Sequence, residues 1–509
     1  MTNTNRSRNA KRNIYVSLFC QLITMVCGLI TPRYLLVAFG SEANGAVSSI
    51  NTFLGYIMLL EGGIGGVARA ALYKPLAEND ERKIGAVMAE IRGFFRCVGY
   101  AFLLYVIVLA CSFKTISHIE IFDWVTSFGL VVIISISTFA QYFIGISNAV
   151  LLQAAQRQYV SNIINVLGTF LNAVFVVLLT SNGFNLLIVK LVSSFVFAMK
   201  PIALWWYVKK HFEIRSVKAT GYALKDKWSG LGQHIAFFLH THTDVVVLTL
   251  FGNLLYVSVY SVYYMVTSSV QSIVTSFSTG MEAVFGDMYA KKEMDALNHT
   301  FSMYETLVSI VTVILYGTTI VLIIPFVRLY TQKITDTNYM QPLFGILLAI
   351  AGVLHCLRSP YHNMVIAAGR FRQTEAAAYG EALINITSSI ILVIKYGLVG
   401  VAIGTVFATL YRFIFYAVYL SKHIICRNLM LFIKRELVNG ISLVFIYFIG
   451  KKIVSYFVIE DFVAWIIAGG GMVLCSIVIT IILNVFFYRE DCVLLLNNIL
   501  KRKYKESSR

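Results

Sequence analysis

Arginine side chains occur inside long apolar stretches of this sequence, where a charge is costly. Arg92 and Arg96 are four residues apart, so they share one face of a helix. Arg33 follows Pro32, which removes a backbone hydrogen bond and can kink a helix. A guanidinium presents a planar fork of donors that matches phosphate oxygens bidentately. These arginines are therefore candidates for binding phosphate, and the alternative is snorkelling to the lipid headgroups or an internal ion pair. For Arg412 and Lys200, near the ends of apolar runs, that alternative is favoured.

The stretch 59–83 adds an acid and a base to this set. Glu61 and Arg69 lie in the same apolar run. An ionisable group at mid-membrane costs about 2.5–3.5 kcal/mol, which makes each of them a functional candidate. Small residues spaced by four form a stripe that lets another helix approach closely: Gly62, Gly66 and Ala70.

Three further polar residues fall together in another apolar run. His240 and Asp244 share a helical face, whereas His240 and His242 point to different sides, which disfavours a zinc site. An acid beside histidines can bind a proton or a sodium ion, because histidine titrates near neutral pH. His240, His242 and Asp244 are therefore candidates for ion coupling, and a structural polar network is the alternative.

Tyrosines cluster in the run that follows, at positions 256, 260, 263 and 264. An aromatic face can stack on a sugar ring, so Tyr260 is a candidate for binding an oligosaccharide. The aromatic belt at a membrane surface explains the same cluster equally well.

The composition indicates a membrane protein. The chain has 509 residues, of which 58% are hydrophobic and 13% are charged, and its mean hydropathy is +0.75. A soluble chain carries about twice that charged fraction. The net charge of +17 is explained by lysine and arginine in loops beside anionic lipid, and no nucleic-acid-binding module is recognisable.

Apolar runs of about 20 residues recur along the whole chain, and each can cross a membrane as one helix. They predict an all-α polytopic membrane protein with about fourteen transmembrane helices. The loops are short and leave no room for a soluble catalytic domain, so we expect no enzyme, cofactor or metal site. The predicted spans are 13–39, 45–72, 86–111, 123–152, 158–181, 185–208, 229–251, 255–286, 299–327, 342–366, 373–395, 398–421, 434–456 and 462–488.

The distribution of basic residues predicts the orientation. If the N-terminus is inside, 28 of the 42 lysines and arginines lie in cytoplasmic segments and six lie outside. Basic residues favour the cytoplasmic side, so both termini are expected to be cytoplasmic.

An internal repeat divides the chain. The pairs Gly40/Gly252, Arg157/Arg370, Asn172/Asn385, Gly183/Gly397 and Lys209/Lys422 are separated by 212–214 residues. Each copy holds six spans, so the copies have the same orientation and are expected to enclose a central cleft. Asp244 corresponds to Pro32, so we expect Asp244 and Arg33 to face each other there. The predicted organisation is a six-helix bundle at 1–210, a cytoplasmic linker at 211–228, a second bundle at 229–425, and two extra helices with a basic tail at 426–509.

Three consecutive motifs in 59–83 carry a resemblance to a known family: the start EGGIGG, the helix exit LYKPLA and the charged loop AENDERK. The sequence resembles the polysaccharide repeat-unit flippases of the Wzx type, within the multidrug/oligosaccharidyl-lipid/polysaccharide exporter superfamily. The resemblance is strongest over residues 12–83. It implies flipping of undecaprenyl-pyrophosphate-linked oligosaccharide repeat units across the cytoplasmic (inner) membrane by alternating access, for a surface polysaccharide such as O-antigen, lipopolysaccharide or capsule.

The resemblance also implies partners and site residues. The partners are the lipid-linked oligosaccharide, membrane lipids and polysaccharide polymerase machinery, with no nucleic acid. Related lipid II flippases use arginines of their first helices to hold the substrate, which assigns substrate binding to Arg33. The full set of substrate-binding candidates is Arg33, Arg69, Arg92, Arg96, Glu61 and Tyr260, and the ion-coupling candidates are Asp244, His240 and His242.

Other functions remain open. A cation-coupled multidrug exporter of the same superfamily shares the twelve-helix core, but it predicts fewer arginines in the cleft and usually lacks the two extra helices. A membrane polymerase or ligase needs a large external loop with catalytic residues. An inert scaffold leaves the intramembrane charges unexplained.

The predicted topology can be tested with two single-cysteine variants, Lys218→Cys and Asn182→Cys, in a chain freed of its own cysteines. In intact cells, a membrane-impermeant thiol reagent should label position 182, which is expected outside, and spare position 218. Labelling of position 218 without position 182 would overturn the orientation.

Overall fold

The computed structural model describes residues 3–61, 64–214, 217, 231–278, 280–370 and 372–488, without the side chains of 3–11, 14, 15, 18, 231–234, 236, 237, 240 and 241. These described parts of the chain contain helices and no strand. The helices are α1 Asn3–Gly55, α2 Ile64–Glu78, α3 Glu81–Ser117, α4 Trp124–Ala140, α5 Ile146–Ala154, α6 Gln158–Ser181, α7 Leu186–His211, α8 Leu231–Phe251, α9 Leu254–Ser276, α10 Met281–Ala290, α11 Met294–Tyr330, α12 Pro342–Ala367, α13 Glu375–His423, α14 Leu429–Val454 and α15 Phe462–Phe487.

The all-α membrane fold predicted from the sequence is confirmed. Ten helical segments in the described residues are long and apolar enough to cross a membrane. Two of them each contain a pair of predicted spans, because α1 is broken at Gly40 (φ 82°) and α13 at Gly397 (φ 55°). Glycine reaches a positive φ without the steric penalty of a side chain, so each break falls at a glycine.

Several left-handed backbone positions fit the predicted internal repeat. Left-handed residues occur in matching pairs, Asn79 (φ 52°) with Lys292 (φ 59°) and Gln156 (φ 59°) with Gly369 (φ 69°). A third pair is Gly183 (φ 74°) with Gly397 (φ 55°). A left-handed residue commonly ends a helix, so corresponding helices of the two copies end in the same way. The predicted partner of Gly40, Gly252, does not share its positive φ.

Side-chain caps mark several helix starts near the ends of the predicted spans. Asp80 caps α3 by accepting hydrogen bonds from the backbone N–H groups of Arg82 (3.1 Å) and Lys83 (3.0 Å). The Lys83 backbone N–H and side chain lower the pKa of Asp80 from its usual value. Asp123 and Asp461 cap α4 and α15 in the same manner. A cap satisfies backbone donors that the first helical turn leaves open, so these positions fix where the helices begin.

The chain forms two compact units. The first comprises Met1–Ser258 with Lys333–Thr337, and the second comprises Val259–Gln332 with Asn338–Arg509. The boundary after Ser258 falls within α9, so the whole of α8 belongs to the first unit. There α8 packs against α1, with a hydrogen bond between the hydroxyls of Ser49 and Thr249 (2.7 Å). The linker predicted at 211–228 lies mostly outside the described residues, and the predicted four-part organisation stays a prediction.

Candidate functional site

A cavity of about 490 Å³ lies within the first unit, and both polar and apolar side chains line it. Its walls come from the end of α1 and the 3₁₀ turn Tyr56–Glu61, from α4 and the π-helical turn Gln141–Gly145, and from α6 and α7. We call it the Glu61–Lys200 cavity after its two charged residues. Its polar lining residues are Asn51, Glu61, Ser137, Thr138, Gln141, Tyr142, Asn165 and Lys200.

Two irregular turns present the acid side of this cavity. Glu61 ends the 3₁₀ turn, and Tyr142, in the π-helical turn, donates its hydroxyl to the Glu61 carboxylate. The side-chain amide of Gln141 lies against Gly145, in the space that a Cβ at this position would occupy. Single π-helical turns occur often at functional sites, because they move side chains out of the regular helical register.

Lys200 forms the basic side of the cavity. Its ammonium donates to the Thr169 hydroxyl at 3.3 Å and lies 4.2 Å from the centre of the Phe197 ring. Its methylene groups lie against Gly168, where a Cβ would overlap them. Among the described side chains no carboxylate forms an ion pair with Lys200. The internal ion pair considered above as an alternative role for Lys200 is therefore not found among the described residues.

A second polar region of the first unit contains two of the predicted arginines. Arg92, Asn148 and Trp205 line both a cavity of about 350 Å³ and one of about 460 Å³, and Arg96 lines the smaller cavity. We call these two spaces together the Arg92–Arg96 recess. Arg92 is half-buried and Arg96 is exposed, and no described carboxylate forms an ion pair with either. The recess thus combines guanidinium donors with the apolar face of an indole.

In the second unit, by contrast, a buried carboxylate joins two buried arginines. Glu381 accepts hydrogen bonds from Arg358 (2.6 Å) and from Arg412. Glu381 is fully buried, and the two arginines are 6% and 3% exposed. Arg412 also donates to the Tyr416 hydroxyl at 3.1 Å. The internal ion pair expected as the alternative for Arg412 is therefore present.

A second buried carboxylate of the same unit fixes α14. Glu305, in α11, accepts two hydrogen bonds from Arg427 (both 2.9 Å) and one from Arg435 (2.8 Å). The Tyr361 hydroxyl also donates to it. Arg427 precedes α14 and Arg435 lies within it, so the first of the two extra helices is tied to α11 by charge-assisted hydrogen bonds.

The remaining substrate-binding candidates lie apart from one another. Arg69, in α2, donates to the side-chain oxygen of Gln153 in α5 at 2.8 Å. Arg33 is half-buried in α1. Tyr260 is 3% exposed and stacks on Tyr264 with ring centres 5.5 Å apart, within the second unit. Their roles in substrate binding stay predictions.

The ion-coupling candidates lie on α8. Asp244 is 3% exposed. His242 packs against the rings of Phe238 (4.2 Å) and Tyr56 (6.4 Å between ring centres), so its ring contacts an aromatic cluster. The side chain of His240 lies outside the described residues. The pairing of Asp244 with Arg33 and the coupling role of all three residues stay predictions.

Sequence reasoning missed two acids that the structure shows to be central. Glu305 and Glu381 lie inside predicted spans, and an acid inside an apolar run is the same signal that singled out Glu61. Arg435 falls at the start of the predicted span 434–456 and Arg427 in the predicted cytoplasmic segment before it, where basic residues are common and give no specific signal.

Several solved structures share this fold. No protein-family model matches the chain, and no curated protein matches it. The lipid II flippase MurJ, in an inward closed conformation, aligns with a TM-score of 0.68 at 17% identity, over 94% of this chain and 99% of that chain. An inward-facing multidrug resistance MATE family transporter of the MOP superfamily aligns with a TM-score of 0.64 at 15% identity, over 80% of this chain and 98% of that chain. At these identities the likeness establishes the fold alone, which this chain shares with both of those solved structures.

The buried Glu305 cluster predicts a large loss of stability in Glu305→Ala. This change leaves Arg427 and Arg435 without their shared counter-charge, and breaking a buried pair costs about 3–5 kcal/mol. The melting temperature of the purified protein in detergent and its yield from membranes should both fall strongly. The matched control is Glu282→Ala, since Glu282 is exposed in the first turn of α10. Equal melting temperatures for the two variants would contradict the role assigned to Glu305.

Proposed function

We propose that this protein flips an undecaprenyl-pyrophosphate-linked oligosaccharide across the cytoplasmic membrane, for the synthesis of a surface polysaccharide, by alternating access. The observation that carries the proposal is the Arg92–Arg96 recess. Its two arginines have no carboxylate ion partner among the described residues, whereas four arginines of the second unit bind buried glutamates. Positive charge that the protein does not neutralise is suited to an anionic ligand.

The chemistry of the recess fits a lipid pyrophosphate. Arg92 and Arg96 follow each other by one turn of α3, so both guanidinium groups can bind neighbouring phosphate oxygens. Trp205 supplies an aromatic surface of the amphipathic kind found where lipid meets water. Arg92 is eleven residues from the start of α3 at Glu81, about 16 Å along the axis, and that end is predicted to be cytoplasmic. A headgroup could therefore reach the recess from the inner leaflet.

The extent of the structural likeness supports a flippase over a drug exporter. The MurJ alignment spans 94% of this chain, whereas the MATE alignment spans 80%. MurJ is a lipid II flippase, a protein that acts on a lipid-linked substrate. The proposal transfers that class of substrate to this chain and replaces lipid II with an oligosaccharide repeat unit. The mechanism is binding and reorientation, without covalent chemistry.

Ion coupling belongs to the same proposal. The membrane potential, negative inside, favours outward movement of negative charge by about 2.3 kcal/mol per charge per 100 mV. In the proposed cycle Arg33 pairs with Asp244 while the protein is empty; when the headgroup moves outward from the Arg92–Arg96 recess, Arg33 pairs with the phosphate and Asp244 takes up a cation. His240 and His242 would make this exchange sensitive to pH.

A cation-coupled multidrug exporter is the second candidate function. Glu61 favours it, because a carboxylate lining a cavity suits a cationic drug. The two functions differ in the sign of the ligand charge, so they respond oppositely to the loss of Arg92 and of Glu61. A lipid pyrophosphate depends on the arginine, and a cationic drug depends on the acid.

The flippase proposal predicts that Arg92→Ala and Arg96→Ala each slow the flipping of a lipid-linked oligosaccharide in proteoliposomes. The expected loss is about tenfold to a hundredfold, because a hydrogen bond to a charged group contributes about 1.5–3 kcal/mol. The matched control is Arg82→Ala, which removes an exposed arginine at the start of the same helix. Flipping is compared at equal protein content.

Two results would contradict the proposal. One is wild-type flipping in both recess variants. The other is wild-type protein that does not flip the lipid but confers resistance to cationic drugs in a manner abolished by Glu61→Gln, which would establish the exporter instead.

A further inference from the structure

We propose that the Glu61–Lys200 cavity is a subsite for one sugar ring of the transported lipid-linked oligosaccharide. This inference rests on the proposed function and adds the place where the sugar is recognised. It separates the two chemical parts of the substrate, with the pyrophosphate in the Arg92–Arg96 recess and a hydroxyl-rich ring in the Glu61–Lys200 cavity.

The first argument is the number of polar groups in the cavity wall without a protein partner. The side-chain amides of Asn51, Gln141 and Asn165 line the cavity, and none of them has a hydrogen-bond partner among the described residues. A ligand that enters must replace the hydrogen bonds of the water it displaces from these amides. Each amide offers both donors and an acceptor, so the three together match a ligand whose groups also donate and accept. Sugar hydroxyls do both.

The second argument is the charge of the cavity, which favours a sugar over a phosphate as its ligand. Glu61 and Lys200 line the same cavity, one negative and one positive. A pyrophosphate would be repelled by the Glu61 carboxylate. In the Arg92–Arg96 recess, Glu213 lines the larger cavity together with Arg92 and Lys209, but no acid among the described residues lines the smaller cavity, where both arginines lie. A carboxylate and an ammonium can each bind a hydroxyl by a charge-assisted hydrogen bond. The mixed charge therefore favours a neutral or weakly charged ring.

The third argument comes from the internal repeat. Glu381 lies 213 residues after Gly168, as Gly369 lies 213 residues after Gln156. In the second unit the Glu381 side chain fills its site and binds Arg412. In the first unit the corresponding position has no side chain, and Lys200 lies against it. In the second copy an ion pair thus occupies this position. In the first copy the ammonium of Lys200 lies beside an open cavity.

The size of the cavity is compatible with this ligand. Its volume of about 490 Å³ falls in the usual range for small-molecule sites. The two irregular turns that carry Glu61 and Tyr142 hold the acid in place through their shared hydrogen bond. Lys200 and Asn165 come from different helices, α7 and α6, so a ring between them would be contacted from two sides.

The test compares lipids with and without a sugar, using the full-length protein in nanodiscs. The probes are undecaprenyl pyrophosphate and the same lipid carrying one hexose or one N-acetylhexosamine. Wild-type protein should bind at least one of the sugar-bearing lipids about tenfold more tightly than the bare lipid. Lys200→Met and Asn165→Leu should reduce that difference to less than about twofold, with unchanged binding of the bare lipid.

The matched control is Lys190→Met, since Lys190 lies on the same helix and does not line the cavity. It should keep the wild-type preference. If wild-type protein binds the bare and the sugar-bearing lipids equally, the subsite is refuted and the proposed function stands. If wild-type protein binds none of these lipids, the proposed function fails as well.

A second measurement covers the case in which the cavity variants fold poorly. Thr138→Cys places a thiol in the cavity wall of a chain freed of its own cysteines. A small methanethiosulfonate reagent should label this thiol, and the methyl glycoside of the preferred sugar should slow the labelling at least about twofold. Labelling at the same rate with and without the glycoside would overturn the proposal.

Discussion

The pairing of two arginines with one buried glutamate is the interaction on which the second unit depends. Burying an unpaired charge is strongly unfavourable, so a glutamate and its arginines must be retained together. Glu381 joins α12 to both halves of α13, and Glu305 joins α11 to the segment that begins α14. Each glutamate is almost fully buried, which makes these contacts costly to break. Buried ion pairs therefore hold these helices of the second unit together.

The first unit shares the backbone pattern and differs in its side chains. Its helices end at left-handed residues that match those of the second copy, yet Gly168 stands in the position of Glu381. Lys200, Arg92 and Arg96 have no described carboxylate ion partner. The same scaffold thus supports one half in which two buried glutamates neutralise four arginines, and one half in which these three cations have no such partner among the described residues. This asymmetry is the physical basis of our proposal that the substrate is recognised in the first unit.

Hydropathy predicted the helices well because it acts locally. The breaks at Gly40 and Gly397 coincide with the predicted gaps between spans, since a positive φ interrupts a helix. The site was less predictable. The π-helical turn at Gln141–Gly145 has no sequence signature in periodicity, and it brings Tyr142 to Glu61 across 81 residues of chain.

Pairing between distant charges was also beyond the sequence. The sequence shows that an acid lies in an apolar run, but the packing of the helices determines which residue pairs with it. Glu305 binds Arg427 and Arg435, more than 120 residues later, and nothing in the local pattern of either segment indicates the other. The position of Lys200 was equally unpredictable, because its side chain lies against Gly168, which belongs to the neighbouring helix α6.

The most direct test of the central claim is site-specific photocrosslinking of the transported lipid in native membranes. A photoreactive amino acid is placed at Ile202, which lines the Arg92–Arg96 recess, or at Phe448, which is 66% exposed on α14 in the second unit. Radiolabelled undecaprenyl-pyrophosphate-linked oligosaccharide should crosslink at position 202, and excess unlabelled lipid should suppress the adduct. Position 448 should give only the background of bulk lipid contact. A suppressible adduct at position 448 and none at position 202, in protein that still flips the lipid, would contradict the account.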